Sequence, residues 1–285
     1  MFKIPLLKVN EKFIASNTCS QAGQDLFVVA MLQGKTNGTF LEIGCTHPIS
    51  GNNTWLLEKF FNFTGDSIDK ALEKNVSAKY INYFKLFYND VKSEHWPVVD
   101  SFDDLPEHIK QECKNIHGYN PIVEVSLAKL SLAKLWEDER PNTNFYNCDA
   151  LNFNYDDLNS YYDYLQIDID PPMAHLDLLK KLIPTHEFSV ITFEHDIWQM
   201  TEEVRFVQEK SREFLSNHNY TLLVDDVTIQ PGKGYGIDDN PIFFEDWYVN
   251  KKFISQDIID AYKFISPGTI KYYPDILFNN KILKK

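Results

Sequence analysis

Two periods of apolar residues take turns along this chain. Short apolar runs with strand character occur at 38–44 (GTFLEIG), 120–126 (NPIVEVS), 142–150 (NTNFYNCDA), 162–170 (YDYLQIDID) and 188–196 (FSVITFEHD). Stretches of helical spacing lie between them. One begins at about Ser20, a plausible N-cap, and closes near Gly34; others cover 52–63, 127–141, 174–183 and 202–219. In 52–63 the spacing puts Trp55, Leu56, Phe60 and Phe63 on one face. Pro141 stops the third helix, and Pro171 with Pro172 stops the strand at 162–170, because proline cannot donate to a ladder. Two further strands, 220–229 and 241–250, are joined by the loop QPGKGYGIDDN.

Alternating strand and helix implies an α/β fold with a mostly parallel sheet covered by helices on both faces, closed by a final antiparallel hairpin. Residues 66–120 break the rhythm with aromatic, charged and proline-marked sequence, and are expected to be an insertion of mixed, mostly helical structure. The expected organisation is one domain over 1–285, with an N-terminal helical part at about 1–36 and a C-terminal tail at about 251–285.

Charge narrows the partners. Asp and Glu number 41 against 28 Lys and Arg, a net of −13, which is unsuited to gripping a phosphate backbone or an anionic membrane. The first residues have no long apolar core and no small-residue cleavage site, and no run approaches a membrane span, so a cytoplasmic protein is expected. Cys19, Cys45, Cys113 and Cys148 lack metal-site or redox spacing and read as free thiols.

The stretch FLEIGCTHP carries the first chemical signal. A dinucleotide fold shows G-x-G-x-x-G after its first strand, so that backbone can approach a pyrophosphate. Here Gly44 is followed by Cys45, Thr46, His47 and Pro48, which weighs against NAD or FAD. A ligand without phosphate needs only one close approach, and Glu42 before that glycine suits an ammonium or ribose hydroxyls. S-adenosyl-L-methionine (SAM) has that shape.

Six segments, SQAGQD (20–25), FLEIG (40–44), NNTWLLEK (52–59), YLQIDIDPP (164–172), ITFEHD (191–196) and FEDWYV (244–249), resemble the FkbM-type family of SAM-dependent methyltransferases. The resemblance spans most of the chain except the insertion and the tail. It implies a Rossmann-like class I methyltransferase fold and methyl transfer to a hydroxyl of a sugar, glycan precursor or other small molecule. It also implies that Glu42 and Gly44, with Thr46 nearby, hold the methionine end, that Asp149 and Ala150 lie beside adenine, and that an acid ending the second strand takes the ribose. Two acids compete for that last role: Asp69 in GDSIDK and Glu124 in PIVEVS, with Glu124 slightly favoured because its strand is the more apolar.

The remaining strand-end acids suggest the reaction centre. If 166–170 stays extended, Asp168 and Asp170 share a face, as Glu194 and Asp196 do in FEHD, with His195 pointing the other way. Asp170, Glu194 and Asp196 are then candidate ligands for Mg²⁺, a hard cation that would relieve their repulsion. Without a metal, Asp168 binds SAM, Asp170 caps the next helix and Glu194 pairs with a lysine or arginine. His195 and His175 are the candidate bases. The hairpin brings Glu245, Asp246 and Trp247 to the same edge, where Trp247 either stacks on a sugar or fills the core, and the glycine-rich loop is a candidate lid. Two rivals remain: a non-catalytic SAM-binding module, and an amino-group methyltransferase of the D-P-P-aromatic type, whose aromatic is replaced here by Met173. The sequence names neither the acceptor nor an oligomeric state.

Overall fold

In the computed structural model, the residues described are 17–45, 47–49, 51–70, 132–229 and 242–262. Thr46, Glu124, the strand expected at 120–126, the loop QPGKGYGIDDN and nearly all of the expected insertion lie outside them.

The described elements run, in chain order, α1 (Gln24–Met31), β1 (Thr39–Ile43), α2 (Trp55–Phe61), β2 (Thr64–Asp69), α3 (Leu132–Glu139), β3 (Thr143–Asn147), β4 (Tyr161–Ile167), α4 (Pro172–Leu182), β5 (Glu187–Glu194), α5 (Glu202–Asn217), β6 (Tyr220–Ile229), β7 (Ile242–Asn250) and α6 (Gln256–Tyr262). The strands form one seven-stranded sheet in the order β3-β2-β1-β4-β5-β7-β6. β1 to β5 are parallel, and β7 enters antiparallel between β5 and β6. This is the expected α/β fold, an open and mostly parallel sheet flanked by helices, with the antiparallel hairpin at one edge. Among the described residues no helix is long and apolar enough to cross a membrane.

Alternation along the strands gives the sheet two apolar faces. Phe40, Tyr164, Val190, Trp247 and Val249 pack with α1, α2 and α6. Leu41, Ile43, Leu165, Ile167, Ile191, Phe193 and Tyr248 pack on the other face with α4 and α5. Burial of these side chains, at about 25 cal/mol per Å² of apolar surface, is the main drive that holds the layers together.

Several boundaries differ from the sequence reading. α1 starts at Gln24, because Ser20 turns its hydroxyl to Asp25 and accepts from Gly23 N–H instead of opening the helix. α2 buries Leu56, Leu57 and Phe61 and leaves Phe60 exposed. β2 extends through Asp69, into the segment assigned to the insertion. Its buried Asp66 is accommodated by donors from Tyr162, Tyr146 and Asn144. Beyond residue 251 the chain is not simply a tail, since Ile254 and Ile259 seal the α1 face of the core.

Candidate active site

In an open parallel sheet the carboxyl ends of the strands form the ligand edge. β1 ends there in Gly44, whose φ of 84° is left-handed. A Cβ on Gly44 would stand 1.4 Å from the carbonyl oxygen of Asp168. Gly44 N–H donates to Ile68 O and Asp168 N–H to Ile43 O, both at 2.9 Å, so β1, β2 and β4 converge on this residue. Only glycine combines that φ with that approach.

Glu42 lies one turn of the pleat below. It is 1% exposed. Asn52 Nδ2 (3.1 Å), Asn53 N–H (3.2 Å), Thr54 Oγ1 (2.9 Å) and Ser67 Oγ (3.1 Å) all donate to it. Burial pushes its carboxyl up, and Arg140 and the hydroxyl and amide donors oppose this. Glu42 thus holds the segment between β1 and α2 against β2. The same segment is gripped from behind by Arg140, 1% exposed. Arg140 donates to Glu58 Oε2 (2.6 Å), Pro48 O (3.0 Å), Asn52 Oδ1 (2.8 Å) and Thr54 Oγ1 (2.7 Å). Its guanidinium also lies over the Trp136 and Phe40 rings. The sequence reading did not single out Arg140. A cation beside Pro141 at a helix end reads as solvated, and the one available signal was the pair of acids it serves.

On the face that α1 and α2 cover, the ligand edge carries Asp69 from β2, Gly44 from β1, Asp168 after β4, Glu194 from β5 and Glu245 from β7. Asp69, 7% exposed, closes β2. Asp149 follows β3, with Lys70 Nζ at 3.2 Å and Leu151 N–H at 3.0 Å on its oxygens. The Lys70 hydrogen bond in particular holds its carboxyl below the usual range. Ala150 is buried beside it, and its carbonyl accepts from Tyr155 Oη.

Asp168, Glu194 and Asp196 lie near enough for their charges to act on one another. Burial first, then the Asp168 charge, pushes the Glu194 carboxyl well up. Burial pushes Asp168 up to about 6, against the pull of its Glu194 hydrogen bond. Glu245 is packed behind them, with Trp247 Nε1 donating to it at 2.7 Å. Burial pushes its carboxyl up to about 8, while hydrogen bonds from Trp247, Thr192 and Gln24 oppose the rise.

The Glu245 shift has a sign that can be measured. The folded state keeps this proton up to about 8, while the unfolded chain loses it near 4.5. Stability from this group is therefore full below about 4.5 and lost as pH rises to about 8. Glu245→Gln is expected to flatten that part of the profile of thermal midpoint against pH. A variant that keeps the wild-type slope between those pH values would refute the assignment.

The candidate Mg²⁺ ligands do not gather. Among the described residues, the group of three His, Cys, Asp or Glu side chains with one ligand atom each within 4.8 Å of the others is His195, Asp226 and Asp246. Asp170, Glu194 and Asp196 form no such group, because neither strand stays extended. β4 ends at Ile167, and Asp170 is exposed beyond it. After β5 both His195 N–H and Asp196 N–H donate to Phe244 O, and Asp196 turns to a φ of 54°. Its carboxylate is then occupied by Trp198 Nε1 (2.7 Å) and Gln199 Nε2 (3.1 Å). The residues present do not fit a divalent ion there. The trio around His195 is occupied by Arg212, which donates to Asp246 and Asp226 at 2.7 to 2.9 Å.

Neither histidine faces the acids with a free nitrogen lone pair. His195 is fully buried on the α5 side; its Nδ1 accepts from Ile197 N–H at 3.2 Å and its Nε2 is 3.4 Å from Asp246 Oδ1. Burial would raise the Asp246 carboxyl, but His195 and Arg212 outweigh it and hold it well below the usual range. His175 Nε2 accepts from Ile169 N–H at 2.7 Å and so fixes the turn between Asp168 and Asp170. Burial lowers its pKa. Trp247, the candidate stacking residue, is fully buried and packs against Phe27 at 4.7 Å between ring centroids.

The chain matches no protein-family model and no curated protein sequence. Among solved structures it is similar to the O-methyltransferase TomG of Streptomyces achromogenes, solved with SAM (10% identity, 86% of this chain and 92% of that one, TM-score 0.43). It is also similar to fibrillarin of Aeropyrum pernix with natively bound SAM (12% identity, 81% and 74%, TM-score 0.42). A third is an O-methyltransferase of Bacillus cereus in complex with SAH (13% identity, 87% and 84%, TM-score 0.38).

Proposed function

We propose that this protein is a SAM-dependent methyltransferase of FkbM type, acting on a hydroxyl of a sugar, glycan precursor or other small molecule. The observation that carries this reading is the Gly44 turn pressed against the Asp168 carbonyl, with Asp69 ending the neighbouring strand and the acids grouped opposite. A single glycine turn at the ligand edge, without G-x-G-x-x-G, suits a ligand that has no pyrophosphate. SAM supplies an activated methyl on a sulfonium.

The chain's own residues then have distinct tasks. Gly44 admits the methionine end, while Glu42 and Arg140 act at one remove by fixing the 48–54 segment. Asp69 accepts the ribose hydroxyls, since one carboxylate can take two hydrogen bonds. It is favoured over Glu124 because it ends the strand next to β1. Asp149 and Ala150 flank the adenine. As the acceptor O–CH₃ bond forms and the S–CH₃ bond breaks, the hydroxyl proton passes to Asp168, whose side lies at the edge that the His195 ring does not reach. No step is routed through a divalent cation. An amino-group acceptor is disfavoured, because Met173 packs against the core where the D-P-P-aromatic motif offers a ring.

Calorimetry tests the reading directly. SAM is expected to bind with micromolar affinity, equally with and without a chelator. Asp69→Asn should weaken it about 10- to 100-fold, the span expected for hydrogen bonds to a charged group. An absence of SAM binding under both conditions would remove the methyltransferase reading. Binding with no methyl transfer across a hydroxylated acceptor panel would favour a non-catalytic module.

A further inference from the structure

The other edge of the sheet carries a cavity of about 430 Å³. It opens where α4 and α5 end, where β5 and β6 begin, and where the chain leaves β7. Gly44 lies at the opposite, carboxyl edge. The length of a strand, about 25 Å for the 8 residues of β5, separates the two places. The volume falls in the range of small-molecule sites, about 300 to 1,000 Å³.

The cavity wall is polar and held by the fold. His186, Tyr220 and Asn250 line it, each only 5% exposed. His186 is used by the protein itself, with Nδ1 paired to Thr185 Oγ1 at 2.8 Å and Nε2 to Tyr155 O at 3.3 Å. Tyr220 Oη accepts from Phe188 N–H at 3.1 Å, and Asn250 Oδ1 accepts from Lys252 N–H at 2.9 Å. Both side chains thus give acceptor capacity to the backbone, and the groups they have left are donors, an O–H and an NH₂.

The helix ends are capped from within. His218, the C-cap of α5, brings its ring Nδ1 to 2.7 Å from Phe214 O, which only an N–H can satisfy. Nε2 is then the ring nitrogen that the helix does not use. His218 N–H donates to Leu215 O, while Thr185 N–H and His186 N–H donate to Leu182 O. Carbonyls that would present the negative ends of α5 and α4 to the cavity are therefore taken by internal donors.

The charges around the cavity point the same way. Lys252 Nζ lies 2.6 Å from both Glu187 oxygens, so the acid on the wall is already paired. Lys251, on the same turn, is exposed and pairs with no carboxylate among the described residues. In a chain of net charge −13 this is a local excess of positive charge and of donors, to which the exposed Asn217 and Asn219 add their amides. A phosphate or carboxylate is negative and accepts hydrogen bonds only, so it can use all of these groups. A cation would be repelled by Lys251, and an apolar ligand would leave the buried donors without partners.

We propose that this cavity is a second ligand site, which takes the oxyanion group of a small molecule, a phosphate or a carboxylate, on Lys251 and His218. The site is separate from the glycine turn and does not depend on the methyltransferase reading.

The experiment titrates the full-length protein, at constant ionic strength, with inorganic phosphate, glycerol 3-phosphate, succinate and citrate. Calorimetry gives the affinity, and NMR of the histidine ring protons gives the place. At least one ligand is expected to bind with a millimolar or tighter dissociation constant and to move the His218 resonances. Binding confined to the phosphates, or to the carboxylates, names the source of the oxyanion. Lys251→Ala should weaken binding about 10-fold or more, the order expected for a lost hydrogen bond between charged groups, and Lys251→Arg should keep it. Lys59→Ala, which removes an exposed lysine on α2, should bind as the wild type does. Matched unfolding midpoints would show that the variants are folded.

No saturable binding by any of the four ligands would overturn the proposal, as would equal binding by wild type and Lys251→Ala. Equal losses in Lys251→Ala and Lys59→Ala would mark a response to net charge alone and would also overturn it. Displacement of the anion by S-adenosylhomocysteine would place it at the carboxyl edge instead, with the same consequence.

Discussion

Gly44→Ala is expected to destabilise the protein by about 4 kcal/mol or more, the range in which core clash and forbidden backbone act together. Two separate penalties add. The left-handed φ of 84° costs a non-glycine residue about 1 kcal/mol or more. The larger one is steric, since the new Cβ would lie 1.4 Å from the Asp168 carbonyl oxygen and 2.5 Å from its carbon. Neither atom belongs to a side chain that can rotate away. Relief requires β1 and β4 to part at their carboxyl ends, which breaks the Asp168 N–H to Ile43 O bond. Urea unfolding reads the stability loss, and a SAM titration on whatever folded fraction remains should show no binding. A variant with wild-type stability would mean that the strand ends do not converge as described. A stable variant that still binds SAM would remove Gly44 from the cofactor site.

The architecture was readable because hydrophobic period is a local property. Strands β1, β4 and β5 and helix α5 carry patterns that no tertiary contact has to rescue. The glycine turn was readable for a similar reason, because an apolar run that stops at Glu-Ile-Gly has few other uses. What escaped depended on where the chain leaves the sheet. Sharing of a face by Asp168 and Asp170, or by Glu194 and Asp196, assumes continued extension, whereas the ladder ends at Ile167 and Glu194. Of the two roles open to Trp247, the ladder decides for the core, and Trp198, which the sequence reading did not single out, is placed by where the chain leaves the sheet. Trp247 stays in the ladder and is driven into the core, while Trp198 follows a turn that carries it into solvent. Asp69 was legible only as one of two options, since a strand with acids at both Asp66 and Asp69 looks less like a strand than PIVEV does. Its buried Asp66 is satisfied by two tyrosines and an asparagine from β3 and β4, partners no local pattern reveals.

Arg140 gives the second large effect, and it separates a structural scaffold from a ligand contact. Arg140→Met keeps much of the side-chain volume and the contact with Trp136 and Phe40 but removes all four donor contacts. Glu58 would then be left buried at 6% exposure with only Asn142 N–H and Thr143 Oγ1, and Glu42 would lose its nearby positive charge. Breaking one side of a buried ion pair typically costs about 3 to 5 kcal/mol, far more than the pair's net worth. The double variant Arg140→Met with Glu58→Gln should therefore recover part of that loss, because the orphaned charge is gone. SAM affinity should fall in both variants, since Asn52 and Thr54 lose the group that holds the segment after Gly44. If the double variant regains stability but not SAM affinity, Arg140 acts by ordering that segment. If Arg140→Met leaves stability unchanged while SAM binding disappears, the guanidinium instead faces the ligand, and the buried network described around Glu42 is wrong.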